Sequence, residues 1–100
     1  MTNLILKDDY LKILRDIFAS YCPRAEIWAY GSRVNGDCHD ASDLDLAVKS
    51  FNDEHSDLAT LNGMINASNI PILVDIVNFN DLTDLMKKEI LKNYIVIYQT

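Results

Sequence analysis

The sequence predicts an α/β domain built on a small mixed sheet, and three observations support this fold class. Helical and strand patterns follow one another in the order α-β-β-α-β-α, with a short apolar tail. A short link lets the first two strands run antiparallel, whereas a helix separates the second strand from the third and favours a parallel, right-handed crossover. The composition, 49% hydrophobic and 24% charged, is that of a packed domain. One domain is therefore expected over residues 1–100.

The first part of the chain predicts a helix and a strand. Apolar side chains recur at steps of three and four over residues 8–22, which is typical of an amphipathic helix. Asp8 is expected to cap its start, and Pro23 follows its end because proline lacks the N–H that a helix needs. The apolar segment 25–30 contains residue types enriched in strands, so it is predicted as the first strand, which stops at Gly31.

A short turn connects this strand to the second one. Ser32 is expected to begin one helical turn as its N-cap and Gly36 to end it in the left-handed conformation, before a loop at 37–41. Residues 43–49 predict the second strand, whose successive side chains point to opposite faces. One face of that strand carries Asp43, Asp45 and Ala47, and the other carries Leu44, Leu46 and Val48.

The second half of the chain predicts a helix, a strand and a second helix. Apolar residues at helical spacing indicate the first of these helices over 52–68. Residues 71–77 form an almost continuous apolar run, which predicts a buried third strand interrupted only by Asp75. Asp81 is expected to cap the last helix, which carries lysines toward its end. The sheet has three strands, or four if the apolar tail 94–98 joins it.

The charge of the chain restricts its partners. With a net charge of −6 and no basic cluster beyond Lys87-Lys88, the chain lacks the broad positive surface that duplex nucleic acid requires. An anionic nucleotide can still bind an acidic protein when divalent metal ions bridge its phosphates to carboxylates and a helix N-terminus supplies N–H donors. The charge therefore points to a metal-dependent nucleotide site rather than to direct nucleic-acid binding.

The N-terminal residues do not predict a targeting signal, because Lys7, Asp8 and Asp9 fall where a signal peptide would be apolar. No apolar run approaches membrane-spanning length. Cys22 and Cys38 are expected to be two free thiols, since they have no CxxC spacing. These features together predict a cytoplasmic protein without a membrane partner.

The residues that indicate chemistry are a Gly-Ser pair and three carboxylates. Gly31 permits close backbone approach to a phosphate, and Ser32 adds a hydroxyl and an N–H. In the predicted sheet this pair faces Asp43 and Asp45, and Asp75 on the third strand lies level with them. Clustered carboxylates repel one another unless a cation is present, and oxygen ligands suit two Mg²⁺ or Mn²⁺ ions. Each feature alone is typical of a turn or a solvated strand face, so it is the combination that indicates phosphoryl or nucleotidyl transfer.

Other polar residues of the chain have a less certain role or none that the sequence indicates. Arg33 either contacts a phosphate or pairs with Asp37 or Asp40. His39 and His55 have no second histidine at ligand spacing, so a zinc site is not indicated.

Two strings of residues carry a family resemblance. Tyr-Gly-Ser-Arg-Val-Asn-Gly at 30–36 and Ser-Asp-Leu-Asp-Leu-Ala-Val at 42–48 resemble the signature of the polymerase-beta-like nucleotidyltransferase superfamily, in its minimal nucleotidyltransferase branch. Val-Asp-Ile-Val around Asp75 is similar to the third carboxylate of that pattern. The resemblance covers nearly the whole chain and implies the nucleotidyltransferase fold. It also implies that Asp43 and Asp45 bind both metal ions and that Asp75 completes the cluster. By the same resemblance, Gly31 and Ser32 hold the triphosphate of ATP, with Arg33 beside them.

The resemblance implies the transfer of AMP from ATP, in which an acceptor oxygen attacks the α-phosphorus and pyrophosphate leaves. Minimal members of the family commonly act as antitoxins to HEPN-domain ribonucleases, and some modify the toxin by transferring AMP to a tyrosine. Larger relatives have an added helical domain that helps to hold the base or acceptor, so a partner is expected to complete the site here. Two alternatives stay open: an antitoxin that masks its toxin by binding alone, and an enzyme that modifies a small molecule such as an aminoglycoside.

Overall fold

The computed structural model describes residues 4–36 and 43–99, and within these ranges helices and strands alternate as predicted. The helices are α1 (Asp8–Tyr21), α2 (Ser32–Asn35), α3 (Leu58–Asn66) and α4 (Asp84–Lys92). The strands are β1 (Glu26–Tyr30), β2 (Leu44–Ser50), β3 (Val74–Asn78) and β4 (Ile95–Tyr98), and a 3₁₀ turn at Phe79–Asp81 precedes α4.

The strands form a mixed sheet in the order β3-β2-β1-β4. β1 pairs antiparallel with both β2 and β4, and β2 pairs parallel with β3. These directions confirm the predicted mixed sheet and its parallel crossover through a helix. The apolar tail is the edge strand β4, in which Ile95 pairs with Ala29 and Val96 with Trp28, so the four-stranded alternative is correct.

The two faces of the sheet carry different cores. α1 and α3 cover one face, over a large cluster that includes Leu14, Phe18, Ile27, Leu44, Leu46 and Leu61. On the other face a smaller cluster forms where Ile90 of α4 packs on Trp28, Ala47 and Phe79. The indole of Trp28 also stacks on the ring of Tyr94, just beyond α4, with 4.1 Å between ring centroids. This second face is therefore covered by α4 over only part of its area, and the remainder stays accessible.

The predicted start of α3 was wrong. The helix begins at Leu58 because the side chain of Asp57 accepts a hydrogen bond from the Thr60 N–H at 2.8 Å and so caps it there. Asp53, expected inside the helix, instead accepts hydrogen bonds from the backbone N–H groups of His55 and Ser56 in a tight turn. Several residues of this stretch are able to cap a helix, and the one next to the apolar run does so.

The predicted caps of α1 and α4 were also wrong. Asp8 is the first residue of α1 rather than its cap, and Lys7 occupies the cap position without a side-chain hydrogen bond. Thr83 caps α4 by accepting from the Met86 N–H at 3.2 Å, whereas Asp81 lies in the preceding 3₁₀ turn. β3 is shorter than the predicted 71–77 because its pairing with β2 begins only at Val74.

Two further expectations concern membranes and thiols. Over the described ranges, no helix is long and apolar enough to cross a membrane. Cys22 is a buried, free thiol, as predicted, and burial followed by the negative charge of Asp53 raises its pKa to about 11. Cys38, His39 and the expected loop 37–41 lie outside the described residues.

Candidate active site

Three polar side chains form a row across three neighbouring strands, near one end of the sheet. Tyr30 at the end of β1 pairs with Asp45 of β2, and Asp45 pairs with Asp75 of β3. Adjacent strands lie about 4.8 Å apart, and residues in register on neighbouring strands point to the same face. Asp45 and Asp75 are therefore neighbours on the face that α4 leaves partly open. This register confirms the predicted proximity of these two carboxylates.

Asp43 lies immediately before β2, two residues from Asp45 along the chain. The Leu44 N–H donates to the Leu73 carbonyl at 2.9 Å, which fixes the start of β2 against β3. Leu44 and Leu46 are fully buried in the large core, so Asp45 faces the opposite side, as the alternation predicted. Asp43 is exposed and close enough to Asp45 for its charge to act on that carboxyl group.

Gly31 brings the backbone into contact with Asp45. Its φ of 81° and ψ of −152° belong to a region of backbone conformation that is essentially restricted to glycine. A Cβ atom added to Gly31 would lie 2.5 Å from the Asp45 Oδ2 atom. The glycine therefore serves both the turn that leaves β1 and the close approach of the backbone to this carboxylate.

The predicted helical turn after Gly31 is present as α2, with one correction. Gly31 itself is the N-cap and Ser32 the first helical residue, because the Gly31 carbonyl accepts from the N–H groups of Val34 and Asn35 at 3.0 and 2.9 Å. Gly36 ends α2 in the left-handed conformation, as predicted. The Ser32 hydroxyl makes no hydrogen bond to any residue that the structure describes, so it is available to a ligand.

Arg33 is buried and contacts the N-terminal segment. Its Nη1 atom donates to the Ile5 carbonyl at 2.9 Å, and the Ile5 N–H donates back to the Arg33 carbonyl at 2.7 Å. These bonds hold residue 5 against α2. The alternative partners Asp37 and Asp40 lie outside the described residues. A phosphate contact by Arg33 stays a prediction, and the contacts described here are structural.

Two members of the row, Asp45 and Tyr30, have raised pKa values. Partial burial raises the pKa of its carboxyl group, and the charges of Asp75 and then Asp43 raise it further. Burial, followed by the charges of Asp45 and Asp75, raises the pKa of Tyr30 to about 12. The phenol therefore stays protonated at neutral pH and can donate a hydrogen bond. No described residue forms a hydrogen bond or an ion pair with the three carboxylates.

This donor set fits a divalent cation. The candidate ligands are carboxylate oxygens, and two of the carboxylates, Asp45 and Asp75, belong to residues paired in register. A bound cation would offset the repulsion that raises the pKa of Asp45. Among residues 4–36 and 43–99, however, no three His, Cys, Asp or Glu side chains are grouped closely enough to hold a metal ion as they stand. Asp45 and Asp75 are the central pair, and the three-ligand site stays a prediction.

Replacing Asp45 by Asn is expected to raise the melting temperature by a few degrees at neutral pH without divalent metal. Because the folded state raises the pKa of Asp45, its ionised form opposes folding, and this destabilising contribution disappears as the pH falls toward 3.8. The advantage of Asp45→Asn should therefore shrink on acidification. Thermal unfolding in EDTA from about pH 7 to pH 3 measures it. A variant that melts well below the wild type at neutral pH would contradict the electrostatic interpretation.

Two features of the site were not assigned a role from the sequence. Tyr30 became part of the row only through its register with Asp45, although its position directly before Gly31 was a usable signal. A groove of about 270 Å³ opens beside Tyr30 and Gly31, and its other wall is formed by residues of α4: Leu85, Met86, Glu89 and Ile90. Long-range packing brings these segments together, so no local pattern reports the groove.

Comparison with known proteins agrees with this fold and gives its family. Residues 12–100 match the sequence family described as Polymerase beta, Nucleotidyltransferase. The chain is 32% identical over 100 residues to the probable protein adenylyltransferase MntA of Haemophilus influenzae, covering 97% of this chain and 86% of that protein. A solved structure described as the toxin-antitoxin with AMP-PNP superposes with a TM-score of 0.69 at 22% identity, covering 90% of this chain and 73% of that one. The match to the solved structure concerns the fold.

Proposed function

The chain belongs to the polymerase beta nucleotidyltransferase family, and on that premise we propose that it transfers AMP from ATP to a tyrosine hydroxyl of a cognate toxin and thereby neutralises it. The single observation that carries this proposal is the row in which Asp45 and Asp75 lie in register beside Gly31. The similarity to MntA, named a probable protein adenylyltransferase, supports AMP as the group transferred and a protein as the acceptor.

The proposed reaction exchanges one phosphorus–oxygen bond for another. The tyrosine oxygen forms a bond to the α-phosphorus of ATP, the bond from that phosphorus to the bridging oxygen breaks, and pyrophosphate leaves with the electron pair. The hydroxyl proton must also depart, and in this proposal a carboxylate oxygen of Asp75, which is exposed, would accept it. Since no covalent enzyme intermediate is needed, the chain contributes mainly position and charge.

The chain's own residues divide this work between them. Asp43, Asp45 and Asp75 would hold divalent cations, with Mg²⁺ favoured and Mn²⁺ an alternative, and such ions neutralise charge that develops on the phosphates. Gly31 leaves room for the polyphosphate next to Asp45, and the Ser32 hydroxyl is available to it.

The partner in this proposal is a HEPN-domain ribonuclease. Its support is the resemblance to minimal nucleotidyltransferases together with the solved toxin-antitoxin structure that shares this fold. The acceptor side chain on the toxin must reach the face of the sheet that carries Asp45 and Asp75. The chain would form a hetero-oligomer with the toxin at least during transfer.

Label transfer tests the proposal directly. Purified chain is mixed with α-labelled ATP, Mg²⁺ and the protein encoded by the neighbouring gene, and the expected result is label on a tyrosine of that protein with loss of its ribonuclease activity. Chelation of the metal with EDTA should abolish labelling. The same reaction with γ-labelled ATP is the matched control, because AMP transfer leaves no γ-phosphate on the acceptor.

The two alternative functions give different results in this experiment. Neutralisation without label, unchanged by Asp43→Asn, would support an antitoxin that acts by binding alone and would overturn the enzymatic proposal. Label that appears on an added aminoglycoside but never on the toxin would support a small-molecule nucleotidyltransferase.

A further inference from the structure

A groove runs between α4 and the end of β1, next to the proposed phosphate site. Tyr30 and Gly31 form one wall, and Leu85, Met86 and Ile90 of α4 belong to the other. We call the cavity between these walls, about 270 Å³ in volume, the α4 groove. Leu85 is 72% exposed and Met86 44%, so much of the apolar wall is open to solvent. Such a wall favours contact with an apolar part of a ligand.

Three polar residues, Asn35, Glu89 and Asn93, complete the lining of the groove. The Asn93 side-chain amide donates a hydrogen bond to the Asn35 Oδ1 atom, which leaves the Asn35 amino group as a donor and the Asn93 carbonyl as an acceptor for a ligand. The Glu89 Oε1 atom accepts from Lys92 at 3.0 Å, whereas its Oε2 atom accepts no hydrogen bond from any residue that the structure describes. A ligand therefore meets a small number of polar groups with unused hydrogen-bonding capacity.

The charge of these lining residues is unfavourable for phosphate. Among the described residues that line the groove there is no lysine or arginine, and the carboxylate of Glu89 is negative. Lys92 is paired with Glu89 and does not line the groove. A carboxylate repels phosphate oxygens but accepts hydrogen bonds from the N–H groups of a neutral ring. Apolar walls with a few polar groups are typical of a site for a neutral, largely apolar molecule.

The groove is continuous with the place where the proposed function puts ATP. Gly31 lies both in its wall and against Asp45, and Tyr30 lies both in its wall and in register with Asp45. Adjacent strands are about 4.8 Å apart, so the groove begins one strand away from the proposed α-phosphate position. The ribose and base bonded to that phosphate can therefore reach the groove. A second depression beside Asp43, of about 460 Å³, contains Lys7 and suits an anionic group better.

We propose that the α4 groove holds the nucleoside of ATP and that Glu89 recognises the amino group of its base. The adenine ring lies between Tyr30 and the apolar side chains of α4, and its 6-amino group donates to the Glu89 carboxylate. The inference rests on the proposed function, which puts the polyphosphate at Gly31. It adds the residues of this chain that hold and distinguish the base.

The test is nucleotide binding to the chain alone, with Mg²⁺ and without a protein acceptor. Calorimetry gives Kd values for ATP and for purine riboside triphosphate, which is ATP with hydrogen in place of the 6-amino group. Glu89→Ala is expected to raise the Kd for ATP about tenfold, because it removes a charge-assisted hydrogen bond. The Kd for purine riboside triphosphate should stay within about threefold of the wild-type value, since that molecule has no amino group to lose.

Lys92→Ala is the matched control for Glu89→Ala. It breaks the same exposed ion pair but keeps the carboxylate, so the Kd for ATP should stay within about threefold of the wild type. Met86→Ser, in the groove, should raise the Kd for both nucleotides about fivefold or more, whereas Leu91→Ser changes a position outside it and should not. All four residues are exposed on α4, so the melting temperatures should stay within about 3 °C of the wild type.

Inorganic tripolyphosphate separates the nucleoside from the phosphates. Its binding should be the same in the wild type, Glu89→Ala and Met86→Ser. Binding of tripolyphosphate that falls together with that of ATP in Met86→Ser would put the phosphates in the groove and overturn the proposal. Equal losses of ATP and purine riboside triphosphate in Glu89→Ala would overturn the recognition of the amino group.

The inference and the proposed function fail in different ways. Unchanged Kd values for ATP in Glu89→Ala and Met86→Ser, in a wild type that labels the toxin, would overturn the inference alone. The expected pattern of Kd values in a wild type that transfers no label would overturn the proposed function and leave the nucleoside site in place. A wild type that binds neither nucleotide would overturn both.

Discussion

Asp45→Asn is expected to lower the rate of AMP transfer about a thousandfold while leaving the chain folded. Asp45 is the central member of the row, with Tyr30 on one side and Asp75 on the other, so in the proposed site its oxygens would contact the bound cations. Loss of a metal ligand at a reacting phosphate removes several kcal/mol of transition-state stabilisation, and about 4 kcal/mol corresponds to that factor. Asp75→Asn should have a comparable effect, and single-turnover labelling of the toxin measures both.

Asp16→Asn is the matched control for these two variants. Asp16 is exposed on α1, and its replacement makes the same change in net charge without touching the site face. It should transfer label at the wild-type rate. Retention of transfer to within tenfold by Asp45→Asn, in a protein whose melting temperature is not lowered, would remove Asp45 from the catalytic centre and would also remove the main support for the metal site.

Gly31→Ala is expected to lower transfer about a hundredfold and to destabilise the fold by about 1–3 kcal/mol. The stability loss follows from the φ of 81° and ψ of −152°, which an alanine adopts only under strain. The activity loss has a separate cause, because the new methyl group would lie 2.5 Å from the Asp45 Oδ2 atom and would displace that carboxylate. Denaturant unfolding and label transfer measure the two effects independently.

Gly36→Ala is the control that separates the effect of backbone strain from the effect of displacing the Asp45 carboxylate. Gly36 also has a positive φ, 90°, but a Cβ atom added there meets nothing within 4 Å. This variant should lose about 1–2 kcal/mol of stability, because a residue with a side chain is strained in the left-handed conformation. Its transfer rate should stay within tenfold of the wild type. If Gly36→Ala loses as much activity as Gly31→Ala, the strain of α2 rather than the contact with Asp45 would explain both results.

Local sequence patterns determined the faces of the site-bearing strands. The alternation through β2 put Asp45 opposite the buried Leu44 and Leu46, and the structure has the same arrangement. Gly31 marked the end of β1 and Gly36 the end of α2, whereas the predicted N-cap, Ser32, was wrong by one residue. Such features depend on residues within one turn or one strand, since side-chain direction follows from the backbone period alone. Helix starts were less well predicted because several residues near each start were able to cap it.

Only the tertiary structure decided which side chains of neighbouring strands lie next to each other. The register that sets Asp45 opposite both Tyr30 and Asp75 depends on backbone hydrogen bonds between segments that are far apart in the sequence. Other long-range contacts had the same character. Strand pairing made the apolar tail an edge strand, a hydrogen bond placed Arg33 against the backbone of residue 5, and packing brought α4 beside Gly31. A one-residue slip in register would turn a strand's side chains to the opposite face. The sequence therefore supplied the candidate catalytic residues and the strand faces that carry them, and the packing of distant segments supplied the row and its groove.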